Sequence, residues 1–276
     1  VTWVKEEFED ENESIEATKK GKQKKKPMSE EGLRTKIALR AYATSLLSVA
    51  LVDRQVGDFV VRGKIPEIFL KRLKCRRMEE FKVLEMNTDD TVVAMVKREI
   101  DEYSPEAQVQ SPDELEIRIP TMDEIAALEC RHILGCLALM GDYQEILTPF
   151  FKEDGLRLIL SLLERPELGV KFHGIEFVSH LLAHKKFAAE FVKQGGVSVI
   201  LKMSQASQAP FLNGVLALCL FGLASLTNVM EEVCRSPADI FERFIGFSLS
   251  LLTSPHEHTQ RHAVLFFSLA FAFRPV

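Results

Sequence analysis

A unit of 41 residues recurs in this chain and constrains its fold more than any other feature. The segments FFKEDGLRLILSLLE (150–164) and FVKQGGVSVILKMSQ (191–205) share one plan: two apolar residues, a lysine, a glycine turn and a short apolar helix. Phe150 and Phe191 lie 41 residues apart, as do Gly155 and Gly196. So small a unit cannot bury its own apolar face and does so against its neighbours, which is how helical solenoids are built. FVVRGKIPEIFLKRL begins at Phe59, 91 residues before Phe150, or two periods and a few residues. VCRSPADIFERFIGF begins at Val233, 42 residues after Phe191, with Ser236-Pro237 in place of the glycine. Proline also stops a helix, because it lacks an amide hydrogen and restricts the residue before it. Four copies near one period predict an all-α chain, a superhelix of armadillo/HEAT-like repeats.

The 46% apolar content is enough for a sizeable core. A formal charge of −5 argues against direct nucleic-acid binding, which favours a strongly basic domain. The five cysteines (75, 130, 136, 219, 234) are odd in number and scattered through apolar runs. They read as reduced thiols of an intracellular protein. No secretory signal opens the sequence, and both ends break off mid-pattern, so we expect a piece of a longer chain.

Four regions follow. Residues 1–28 form a charged tail, acidic from Glu6 to Glu16 and then basic over KKGKQKKK. Such blocks cannot offset ordering entropy by burial, so the tail is expected to be disordered. Its lysines, Lys19, Lys20, Lys22, Lys24, Lys25 and Lys26, read either as a nuclear-import signal or as a solvated linker. Residues 29–78 hold the first repeat helices. Ser29 is a candidate cap, and Ile37, Ala41, Thr44, Leu47 and Leu51 share one helical face. A second helix from Ile65 to about Arg77 carries a basic face of Lys71, Arg72, Lys74, Arg76 and Arg77, a solvated surface or a dock for an acidic partner. Residues 79–120, with Ser104-Pro105 and Ser111-Pro112, read as a polar insertion on the solenoid.

Residues 121–276 return to repeats. Thr121 and Glu124 have capping-box spacing, followed by a face of Ile125, Leu128, His132, Gly135 and Leu139. Leu168, Phe172, Ile175, Val178 and Leu182 form the inner stripe of the next long helix. Phe211–Leu226 is apolar almost throughout, but it is short of a bilayer span and falls on the repeat phase. It reads as a buried core helix, and no membrane association is expected.

Catalytic motifs are missing: no nucleophile elbow, phosphate-cradling loop, dinucleotide fingerprint or kinase set occurs. Two clusters have partial metal-ligand spacing, namely His256, His258 and His262, and Cys130, His132 and Cys136. Neither makes a full ligand set, so both read more simply as polar turn and helix packing. His173, His180 and His184 share one helix and are assigned to its partly exposed side. No catalytic residue, metal or cofactor is expected.

Four phrases then carry a resemblance: GDYQEILTPFF (141–151), HKKFAAEFVKQGG (184–196), MEEVC (230–234) and RHAVLFFSLAFAFR (261–274). In this order and spacing they resemble the N-terminal armadillo-like region of the Vpr-binding protein family, substrate receptors of cullin-4 ubiquitin ligases. The likeness is dense over 134–276, looser over 33–75, and structural rather than catalytic. It implies a longer protein with more helical repeats, a LisH dimerisation motif, a β-propeller that docks on the damage-specific DNA-binding adaptor, and an acidic tail. No position here matches the adaptor-binding part. The resemblance therefore implies a non-catalytic scaffold segment of a cullin-4 RING ligase receptor, presenting substrates and other protein partners for ubiquitination. It also implies a homo-oligomer in the full-length protein and a nuclear location with a cytoplasmic pool. The alternative is a stand-alone armadillo adaptor unrelated to ubiquitin.

Overall fold

The computed structural model describes residues 30–84, 120–206 and 210–271. The charged tail with its six lysines, Ser29 and most of the insertion lie outside the described residues. Every regular element described is helical. In chain order these are α1 (Glu30–Ala50), α2 (Arg54–Arg62), α3 (Ile65–Leu84) and α4 (Met122–Leu139). A 3-10 turn (Gln144–Ile146) leads to α5 (Leu147–Lys152), α6 (Gly155–Leu163) and α7 (Leu168–Leu181). Then come α8 (Lys185–Lys193), α9 (Gly196–Ala206), α10 (Pro210–Ala224), α11 (Thr227–Cys234), α12 (Ala238–Leu251) and α13 (Glu257–Ala270).

From α2 onward the described helices fall into four triplets, each with a first, second and third helix. The third helices stack in a row that α1 extends: α1 on α4, α4 on α7, α7 on α10, α10 on α13. The second helices make a parallel row, α3 on α6, α6 on α9, α9 on α12. Each triplet thus buries its apolar face against the next, as the 41-residue period requires. The long spacing before Phe150 arises because residues 85–121 separate the second and third helices of the first triplet. α3 reaches Leu84, further than the sequence led us to expect, since MEEFKVL holds good helix formers and neither glycine nor proline.

Local signals explain several ends. Asp53 caps α2, its side chain accepting from the Gln55 amide at 2.8 Å. Thr121 Oγ1 accepts from Glu124 N at 3.2 Å, while Glu124 Oε2 accepts from Thr121 N at 2.7 Å, completing the expected capping box. Between first and second helices, Lys64, Asp154 and Gly195 adopt positive φ of 61°, 56° and 82°. The fourth triplet turns at Pro237 instead.

These turns shift the alignment of the first copy by one residue. Counting back four from the left-handed residue gives Val60, Phe150 and Phe191, all fully buried, whereas Phe59 is 63% exposed. The glycines also act differently from simple turn residues. Gly155 and Gly196 lie one position past the left-handed residue, and a β-carbon there would collide with the rings of Phe150 and Phe191. The first triplet has the smaller Val60 and carries Ile65 at the glycine position.

The expected face of α1 is buried throughout, from Ile37 to Leu51. α4 departs from expectation: Ile125 is buried, but Leu128 and His132 are half-buried and Leu139 is exposed. Its core is Cys130, Ile133, Leu134, Cys136 and Leu137, because α4 is sandwiched between α1 and α7. Of the α7 stripe, Ile175, Val178 and Leu182 are buried and Leu168 and Phe172 half-buried. No single described helix is long and apolar enough to cross a membrane; α10 and α11 pass only as a pair bent by 106°.

Candidate partner-binding surface

The basic face expected on α3 is only partly a surface. Arg72 is buried, with Nε and Nη2 each donating to Glu129 at 3.3 Å. Arg40 Nε donates to the same Glu129 Oε1 at 2.9 Å. This Arg–Glu–Arg cluster ties α1 to α3 and α4 of the first triplet. Lys71 pairs with Glu67 at 3.2 Å and Lys74 with Glu153 at 3.3 Å. The side chains of Arg76 and Arg77 lie outside the described residues.

The histidines and cysteines do not converge on a ligand site. Among the described residues no group of three or more His, Cys, Asp or Glu side chains is placed to hold a metal. Cys136 donates its thiol to the Thr44 carbonyl at 3.3 Å, inside the core, while His132 sits half-buried near His173. Burial pushes the Cys136 thiol up to about 12 and raises Cys219 further. The rings of His258 and His262 meet at a tilt of 60° with centroids 4.4 Å apart, and His262 Nδ1 donates to the His258 carbonyl at 3.0 Å. Burial lowers the His262 pKa and favours its neutral ring. His256 caps α13 from an exposed turn and makes no side-chain cap bond.

The three histidines expected on one helix are divided: His173 and His180 lie on α7, whereas His184 lies past its end at the N-cap of α8, and all three hold structure. His173 Nδ1 meets Glu176 at 2.9 Å and His180 Nδ1 meets Asp142 at 3.0 Å. His184 Nε2 donates to the Gly141 carbonyl at 3.0 Å, so the last two pin the turn that leads into α5. The helical serines Ser161, Ser179, Ser204, Ser248 and Ser268 donate to carbonyls three or four residues back. A hydroxyl engaged with its own helix is not aimed at a general base.

The row of third helices leaves a partly exposed track of rings. It runs from His132 on α4 to Phe172 and His173 on α7, then to Phe211 and Phe221 on α10 and His262 on α13. Phe172 meets Phe211 at 5.7 Å and Phe221 meets His262 at 6.5 Å. The His173 ring lies over Gly135, where a β-carbon would stand 3.5 Å from its Nδ1, an ordinary contact. Half-exposed rings on rigid helices offer large contact area with little side-chain entropy to lose, which suits protein recognition. The sequence marked these histidines as a spacing pattern, but only the stacking of helices joins them to Phe172, Phe211 and Phe221.

Residues 119–237 match the family described as the Mahjong helical domain. The chain is 31% identical over 147 residues to Protein mahjong of Drosophila melanogaster, covering 52% of this chain and 9% of that protein. It is 28% identical over 181 residues to the DDB1- and CUL4-associated factor homolog 1 of Arabidopsis thaliana, covering 60% of this chain and 9% of the relative. The namesake from Caenorhabditis elegans is 31% identical over 149 residues, 53% and 9%. The chain therefore spans less than a tenth of the length of these relatives. In fold it is similar to an engineered protein, at TM-score 0.52 and 15% identity over 89% of this chain and 92% of that one. It is similar also to a computationally designed armadillo repeat protein, at TM-score 0.50 and 12% identity over 89% and 95%. The armadillo-type solenoid is thus the observed fold.

Proposed function

We propose that the chain, similar over its repeats to the DDB1- and CUL4-associated factor 1 homologues, is a scaffold segment of a cullin-4 ubiquitin-ligase substrate receptor. The observation that carries this reading is the co-occurrence of a family match centred on the repeats with a helical array whose third helices expose a row of rings. Transfer chemistry is left to partner enzymes of the ligase. The segment acts by holding substrates or regulators along an extended surface, as solenoids do. Contact with the cullin adaptor belongs to other parts of the full-length protein, which also supply self-association. The lysine run from Lys19 to Lys26 is assigned to nuclear import, with a cytoplasmic pool.

Affinity purification of the native full-length protein, with partners identified by mass spectrometry, tests the reading. Recovery of cullin-4 and its damage-specific DNA-binding adaptor is expected; a clean bait with neither leaves only a stand-alone armadillo adaptor. Replacing all six lysines by glutamine in a fluorescently tagged full-length protein is expected to shift it toward the cytoplasm, and an unchanged nuclear signal would reject the import assignment.

A further inference from the structure

A groove of about 610 Å³ lies between the second and third triplets, away from the ring track. Leu147 and Phe151 of α5 give it apolar lining, and Thr148, His184, Lys185 and Lys186 line the rest with further uncharged residues. No carboxylate lines it. Lys186 Nζ stands 4.7 Å from the Phe151 ring centroid, so charge and apolar surface meet at one wall. Beyond that wall a smaller groove of about 170 Å³ shares Phe151 and Lys186 but is lined also by Asp154 and Glu190, so the carboxylate-free stretch ends there.

The lysines do not serve their own helix. Lys185 and Lys186 occupy the first turn of α8, where positive charge opposes the helix dipole, and no acidic residue accompanies them. The first turn of α4, by contrast, carries Asp123 and Glu124. Both lysines are exposed, and the nearby Asp142 carboxylate is engaged by His180. Local rules broken at a concave surface mark places shaped for something other than stability.

We propose that the α5–α8 groove docks an acidic peptide segment of a partner protein, its carboxylates on Lys185 and Lys186 and an aromatic side chain against Leu147 and Phe151. Lysines give the charge complementarity and the rate of encounter, and the buried ring gives the affinity. The proposal deepens the scaffold reading by naming a second docking place and the chemistry of its occupant.

The test uses the full 276-residue chain and a fluorescein-labelled pentapeptide, Glu-Asp-Phe-Asp-Glu, followed by fluorescence anisotropy. Gln-Asn-Phe-Asn-Gln is the neutral control. Saturable binding of the acidic peptide is expected, with the neutral one at least about tenfold weaker. The double variant Lys185→Glu/Lys186→Glu is expected to lose that preference. Thr148→Trp, at an exposed position on the groove wall, is expected to block binding without changing charge. Circular dichroism reports whether each variant remains helical. Absence of saturable acidic-peptide binding, or wild-type binding by the folded charge-reversed or tryptophan variant, overturns the proposal. Because no ligase component is present, failure here is distinguishable from failure to recover cullin-4 with the full-length protein.

Discussion

The ring of Phe191 lies so close to Gly196 that a β-carbon there would fall 2.4 Å from its Cζ, and Phe150 bears on Gly155 in the same way at 2.6 Å. In the second and third triplets the first helix thus ends by laying a phenylalanine over the start of the second helix. Phe150 carries the contact onward, meeting Phe177 and Phe187 edge-to-face at 5.9 and 5.6 Å. One side chain links its own triplet to the next, which is why the phenylalanine–glycine pair recurs with the period.

Gly155→Ala and Gly196→Ala are therefore expected to destabilise the chain, although alanine favours a helix by about 1 kcal/mol over glycine. Neither ring can retreat within a filled core, and overpacking costs about 1–3 kcal/mol. Urea denaturation followed by circular dichroism measures the outcome. A midpoint equal to or above that of the parent chain would contradict the contact.

Glu129 is fully buried between two buried arginines. Glu129→Ala removes the buried carboxylate that Arg40 and Arg72 share and is expected to cost roughly 3–5 kcal/mol in urea denaturation. Exchanging all three together for Met, Leu and Met is expected to restore most of that loss, because the charges disappear along with their partner. A single alanine variant as stable as the parent would show that the cluster is not buried as described.

Much of this organisation was legible in the sequence, and the misses have one cause. The period, the capping box at Thr121 and the buried face of α1 follow from spacing along the chain, whereas the three-helix unit appears only in the structure. Where a helix meets two neighbours, spacing alone misleads. His132 and Leu139 follow the helical period on α4, yet the side that stacks on α1 is the one holding Glu129 and Cys136. Arg72 looked like one of five surface cations, and nothing local marks it as the partner of an acid 57 residues away. The Phe59 alignment slips because Gly63 looks like the partner of Gly155 and Gly196, whereas the position equivalent to them is Ile65, one past the left-handed Lys64. The ring track and the α5–α8 groove were not visible at all, because each is assembled across repeats.

The core thiols should be inert in the folded chain. Iodoacetamide labelling read by peptide mass spectrometry is expected to leave Cys136 and Cys219 unmodified until urea is added. Ionisation adds a pH signature. An unfolded thiol titrates near about 8.5, whereas the folded Cys136 thiol is held protonated up to about 12. Its contribution to stability is complete below the unfolded value and is lost as pH rises toward the folded one. Cys136→Ala is expected to flatten the fall in stability across that alkaline window; an identical slope would refute the assignment.

His132 acts in the opposite sense. Burial first, and then the positive charges of Arg131 and His173, hold its pKa below the usual histidine value. The neutral ring is favoured on folding, so its contribution is present above about pH 6.5 and lost as pH falls through the lower folded value. The urea midpoint is expected to drop between neutral pH and about pH 5, and to drop less in His132→Gln. Equal drops in the two proteins would remove His132 from the explanation.

The most direct measurement compares proteins co-purifying with the full-length protein and with the same protein lacking residues 30–271, scored by quantitative mass spectrometry. The scaffold account predicts that cullin-4 and its adaptor are retained by both, while a distinct set of other partners is lost with the helical array. An unchanged partner list after removal of the array would contradict it.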